Sequence, residues 1–102
     1  MELLMLEKPG CMYCARWDAE VAPIYPKTSE GRAAPLRRLH LHAALPPGIA
    51  INRPPAFTPT FVLIVDGVET DRIEGYPGED FFWALLAGMI TKADGRPDSA
   101  DR

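Results

Sequence analysis

The amino-acid sequence predicts an α/β fold, an α+β sandwich in which a central mixed four-stranded sheet carries flanking helices. Three observations predict it. An apolar run at Leu3–Leu6 is followed by a turn and an amphipathic stretch, the run Thr60–Val65 is joined through Asp66-Gly67 to a second alternating run, and an apolar-faced segment follows Glu79. In order these read β-α-β, a proline-rich link, then β-β-α. A strand–helix–strand unit requires a crossover between parallel strands, whereas a two-residue turn joins antiparallel ones. The sheet is therefore mixed, and helices are expected on both of its faces.

Leu3-Leu4-Met5-Leu6 has the unbroken apolar pattern of a buried strand, which Pro9-Gly10 stops. From Cys11 onward, Cys14, Trp17, Val21 and Ile24 recur at helical spacing with Asp18 and Glu20 off the stripe. That pattern predicts an amphipathic helix, kinked or ended by Pro23 and Pro26. Leu36, Leu39 and Leu41, alternating with His40 and His42, predict a strand over 36–42 with both histidines on one exposed face. Pro46, Pro47, Pro54, Pro55 and Pro59 then disfavour a long helix and leave an extended loop with at most one helical turn.

Thr60–Val65 is dense in β-branched and aromatic residues, the strongest strand signal in the chain. Asp66-Gly67 is a hairpin turn, and Val68 to Ile73 is the returning strand. Gly75-Tyr76-Pro77-Gly78 turns the chain again, and Glu79 and Asp80 suit the positive end of a helix. Phe81, Phe82, Leu85, Leu86, Met89 and Ile90 are assigned to the buried face of that helix. The polar stretch from Asp94 to Arg102 is expected to fray, so the domain spans 1–93 and residues 94–102 form a flexible tail.

At 102 residues the chain is one domain, and a monomer is expected. A formal charge of -3 and the absence of any Lys/Arg cluster argue against a nucleic-acid surface. No apolar run approaches the ~20 residues of a membrane span. Met1 leads almost directly into a strand, which fits either a cytoplasmic protein or a mature chain whose export signal has been removed.

Both cysteines of the chain fall in Cys11-Met12-Tyr13-Cys14. A CxxC after a strand and at a helix start is the setting of a redox dithiol. Unpaired N–H groups of the first turn favour a thiolate at Cys11. The helix dipole supplies only about 0.3–1 kcal/mol, against ~1.36 kcal/mol per pKa unit, so local hydrogen bonds must supply the rest of any large shift. Lys8 adds a nearby positive charge. Cys14, one turn inside the helix, is expected to be the more buried, resolving thiol. A zinc site would need two further ligands, and His40 and His42 lack the His-x₃₋₅-His spacing, so no metal is expected.

With Thr58-Pro59-Thr60 opening the third strand, the order of elements resembles the thioredoxin superfamily over residues 3–92. The resemblance implies a cis Thr58–Pro59 bond beside the dithiol. It further implies that Thr58 and Pro59 present backbone to the substrate; Met12, Tyr13, Gly75 and Tyr76 are candidate substrate contacts, and no cofactor is expected beyond the Cys11–Cys14 pair. Thioredoxin itself typically carries Gly-Pro between its cysteines, whereas Lys8-Pro9-Gly10-Cys11-x-Tyr13-Cys14 is closer to glutaredoxins. Met5 stands where thioredoxins usually have a buried Asp, and Glu7 is a candidate substitute.

More closely, CARWDAEVAPIYP, EGRAAPLRRL, FTPTFVL and EGYPGEDFFW are similar to the periplasmic thioredoxins of bacterial thiosulfate-oxidation operons. That likeness implies export to the periplasm, a protein disulfide as substrate (that of a sulfur-carrier protein), and a thiol–disulfide electron donor of unidentified nature. Two other readings stay open: a glutathione-dependent, glutaredoxin-like reductase, and a redox-inert metal or binding module. Met12 replaces the proline usual in a glutathione frame, and the bulky ring of Tyr76 is expected to obstruct close approach there.

Overall fold

Leu3 to Leu6 are all buried because β1 (Glu2–Glu7) lies inside the sheet, covered on both faces. A computed structural model describes residues 1–94 of the chain. After β1 come α1 (Met12–Glu20), a 3₁₀ turn (Tyr25–Lys27), α2 (Ser29–Ala33), β2 (Leu36–His40), β3 (Thr60–Val65), β4 (Val68–Glu74) and α3 (Glu79–Asp94). The strand order is β2-β1-β3-β4. β1 runs parallel to β2 with Leu3 opposite Leu36, and antiparallel to β3 with Leu3 opposite Leu63. The hairpin forms as expected, with Asp66 and Gly67 at φ of 53° and 82°.

The helices gather on one face of the sheet. Leu3, Met5, Phe61 and Leu63 join Cys14, Trp17 and Val21 of α1 and Phe82, Leu86, Met89 and Ile90 of α3 in the main core. Leu4, Leu6, Val62 and Ile64 point the other way and meet Leu39, Ile49 and Ile51. The expectation of helices on both faces is therefore corrected. The prolines that disfavour a helix between His42 and Pro59 leave that stretch as irregular chain, and its Ile49 and Ile51 cover the second face.

Three further expectations are revised. The second strand ends at His40 rather than at residue 42, and His42 lies in the following turn, its N–H donating to His40 Nδ1 at 3.0 Å. Ile24 lies beyond α1 and is 42% exposed; Tyr25 takes the inside position, its hydroxyl donating to the Ala34 carbonyl at 2.6 Å. The 3₁₀ turn and α2 were not visible as periodicity, being too short to show one.

Phe81 and Leu85 are 67% and 47% exposed, not core. The buried stripe of α3 is Phe82, Leu86, Met89, Ile90 and Ala93. Successive helical residues point about 100° apart, and Phe81 lies on the side of Phe82 away from Leu86 and Ile90, outside the stripe that packs. Asp94 still belongs to α3; the rest of the expected tail lies outside the described residues.

The chain after β2 is held to the hairpin where Gly67 meets Gly48. A Cβ at Gly67 would collide with the Gly48 carbonyl oxygen, and φ at Gly67 is +82°. Gly67→Ala is expected to cost at least ~1–2 kcal/mol, the usual penalty of a left-handed L residue. Chemical denaturation checks this; a variant as stable as the parent would show that neither the turn nor the close approach matters.

Candidate active site

The first turn of α1 builds the dithiol. Gly10 takes a φ of +76°, which glycine alone adopts at little cost, and turns the chain after β1. Cys11, extended at φ -81° and ψ 110°, then stands as the cap of α1. Its Sγ accepts the Cys14 backbone N–H at 3.1 Å. No acidic residue occupies the first turn of α1, so no carboxylate there opposes a negative charge at that sulfur. Cys14 is 4% exposed because it shares the buried stripe of α1 with Trp17, while Cys11, ahead of the helix, is partly exposed. The two are joined in a disulfide.

A groove of about 400 Å³ opens beside this turn, lined by Tyr13, Phe57, Thr58, Glu74, Gly75, Tyr76 and Pro77. It brings together residues from three distant segments. The Thr58–Pro59 bond is cis. The Gly75 N–H donates to the Pro59 carbonyl at 2.8 Å, and Thr60 Oγ1 donates to the Phe57 carbonyl at 2.6 Å. Gly75, at φ +87°, lets the chain leave β4 at that point. Tyr13 and Phe57 are 51% and 60% exposed, an unusual concentration of bare aromatic surface at one opening.

Of the residues expected around the dithiol, Tyr13, Thr58, Gly75 and Tyr76 line the groove, and Pro59, next to Thr58, is buried. Met12 is exposed but not among the lining residues. Lys8 lies in a separate cleft with Glu7, Pro9, Arg38, Leu39 and His40. Phe57 and Glu74 were not singled out from the sequence. Phe57 sits in the aperiodic proline-rich stretch, and Glu74 looks like any polar residue ending a strand.

Tyr76 does not obstruct the groove. Its ring is 7% exposed and packs edge-on against Phe82 at 6.2 Å, while its hydroxyl donates to Glu20. Burial, then the Glu20 hydrogen bond, raises the phenol well above its usual 10.0, so it remains a donor. Arg16 lies over the same ring at 5.9 Å and pairs with Glu20 at 3.7 Å. The ring is thus buried against Phe82 rather than standing free in the groove, which corrects the expectation that it bars close approach.

Nor does Glu7 replace the missing acid. Met5 is fully buried in the core that holds Cys14 and Trp17. Both Glu7 oxygens instead accept the Arg38 guanidinium, at 2.7 and 2.8 Å, and Arg38 also donates to Asp18 at 2.6 Å. Glu7 foremost among its partners, these bonds raise the pKa of Arg38 beyond its already high value. The result is an ion-pair bridge tying β1, β2 and α1, with no carboxylate left free on Glu7. Among the described residues, no three His, Cys, Asp or Glu side chains gather where a metal ion could be held.

A CxxC pair thus caps a helix whose Tyr13 shares one groove with Thr58, the residue before a cis proline. The chain is 63% identical to the periplasmic thioredoxin SoxS from Paracoccus pantotrophus, whose crystal structure is of the reduced form. The match covers 90% of this chain and 97% of that one, with a TM-score of 0.88. The chain belongs to the thioredoxin superfamily. It is a thiol–disulfide oxidoreductase, with Cys11-x-x-Cys14 as its redox-active pair. No family model matches the chain, and no curated protein matches it. This thioredoxin contains, among its described residues, no helix long and apolar enough to cross a membrane.

Proposed function

We propose that this thioredoxin reduces a disulfide on a protein partner in the periplasm, with Cys11 attacking and Cys14 resolving. The observation that carries the reading is the groove beside the dithiol, whose exposed Tyr13 and Phe57 walls offer a polypeptide more surface than a small thiol needs. The Cys11 thiolate attacks one sulfur of the substrate disulfide, forming a mixed disulfide and releasing the other sulfur as a thiol after it takes up a proton. The Cys14 thiolate then attacks Cys11 Sγ, releasing the second substrate thiol and closing the Cys11–Cys14 disulfide. Two electrons pass to the substrate. A second thiol–disulfide protein returns them, restoring the dithiol.

Thr58 and Pro59 present backbone, and Met12, Tyr13, Gly75 and Tyr76 present surface, to the chain that carries the substrate disulfide. Lys8 acts from outside the groove through its charge alone. The kinship to SoxS supports a sulfur-carrier protein as the partner, and the enzyme works as a monomer. It needs no cofactor and no metal.

One observation favours a second reading, glutathione-dependent reduction: the Tyr76 ring is 7% exposed and does not stand free in the groove. The position of Lys8 in another cleft weighs against it. Turnover of insulin disulfides against a glutathionylated small thiol, at matched concentrations, separates the two. Insulin is expected to win by about tenfold or more, the preference that ~1.4 kcal/mol of extra groove contact supplies. If the small thiol wins, and its turnover falls on Lys8→Ala, the glutathione reading replaces the first.

A further inference from the structure

The proline-rich chain is stitched to β4 by an ion pair buried beneath it. The Arg72 and Glu69 side chains are 6% and 2% exposed. Arg72 Nε and Nη2 donate to the two Glu69 oxygens at 2.8 and 2.9 Å, a bidentate pairing. Each partner also holds loop backbone. Glu69 Oε1 accepts the Asn52 N–H at 2.8 Å, and Arg72 Nη2 donates to the Arg53 carbonyl at 2.7 Å. Glu74, a groove residue, joins the cluster by accepting Arg53 Nη2 at 3.2 Å and Arg72 Nη1 at 3.4 Å. Backbone bonds from Ala50 to Gly67 and from Glu69 to Ala50, at 2.8 and 3.0 Å, fix the chain just before.

Between this cluster and the groove wall at Phe57 lies only Pro54-Pro55-Ala56. Proline locks φ, so the spacer is stiff and carries the position of Arg53 forward to Phe57. Burying an ion pair is a poor source of stability, because desolvation offsets most of the Coulombic gain. The hydrogen bonds of this pair converge instead on the segment leading to the groove and on a residue lining it. The Arg72 hydrogen bond, opposed by burial, holds the Glu69 carboxyl below its usual 4.5, so the pair stays ionised at neutral pH.

We infer that Glu69 and Arg72 are positioning residues that hold the Phe57–Thr58 wall of the groove where it receives the substrate chain. This rests on the reading of the protein as a protein-disulfide reductase. Neither residue lies in the first turn of α1, so the reactivity of the dithiol should not depend on them.

The test compares the parent with the paired apolar replacement Glu69→Leu/Arg72→Met, which removes both charges and leaves neither unpaired, and with Arg72→Lys, which keeps the charge and gives up the fork. Insulin reduction gives kcat and KM, and iodoacetamide alkylation of the reduced protein gives Cys11 reactivity, all below the unfolding transition of each variant. The paired replacement is expected to raise KM for insulin about tenfold, with kcat and the alkylation rate within about twofold of the parent; Arg72→Lys should fall between. An unchanged KM in the folded paired variant overturns the inference. So does a fall in alkylation rate and kcat together with the KM effect, which marks a general structural role. If the paired variant does not fold, Arg72→Lys decides by the same criteria. A parent protein that alkylates normally yet fails to reduce insulin overturns the reading underneath, and the inference with it.

Discussion

Cys11→Ser is expected to abolish disulfide reduction, and Cys14→Ser to arrest the reaction as a covalent mixed disulfide with the substrate. The asymmetry follows from the placement of the two sulfurs. Cys11 caps α1, partly exposed, and receives the Cys14 N–H at 3.1 Å. Cys14 is 4% exposed and faces the core. A serine at 11 leaves no accessible thiolate to open the substrate bond. A serine at 14 leaves the attack intact but removes the only sulfur poised to release the adduct. Intact mass under non-reducing conditions reads the adduct directly, and insulin reduction reads turnover. Equal alkylation rates for the two thiols of the reduced protein, or parental turnover by Cys14→Ser without an adduct, would sink the assignment.

The second large effect separates two adjacent phenylalanines. Phe82 is fully buried and meets Trp17, Phe61, Tyr76 and Trp83 with ring centroids 4.9–6.2 Å apart. Phe82→Ala removes the ring at the centre of that cluster and is expected to cost ~3–5 kcal/mol. At about 4–8 °C per kcal/mol for a domain of this size, that is a loss of at least ~12 °C in Tm. Phe81, 67% exposed, should tolerate alanine within about 0.5 kcal/mol. Denaturant titration of both variants checks the contrast. Similar losses at the two positions would mean that α3 is rotated about its axis from the orientation described.

These two residues show where sequence reading stops. The apolar positions of α3 occupy most of its circumference, and a stripe wider than the face that packs does not specify a rotation. Contact with Trp17 and Phe61 does, and it selects Phe82 over Phe81. Likewise the prolines spread from Pro46 to Pro59 exclude a long helix, but nothing in their order shows that the loop covers the second sheet face in a helix's place. Glu69 and Arg72 read as ordinary polar residues of an edge strand, since three-residue spacing carries no message in a strand. They become a buried pair because the register of β4 slips by one residue between Glu69 and Asp71, which lets both side chains take the same face, and because residues 50–53 fold back across β4.

What the sequence determines by itself is the local chemistry. A strand, a Pro-Gly turn and a CxxC at a helix start place two thiols in one helical turn, and the dense β-branched run after Thr-Pro marks a strand. These are interactions between near neighbours in the chain, whose geometry is set by backbone sterics and hydrogen bonding within a few residues. The groove, its aromatic walls and the inward turn of Tyr76 toward Glu20 join segments far apart in the chain. Only the tertiary structure decides them, because packing and pairing between distant residues depend on which faces meet, and a one-dimensional pattern leaves that choice open.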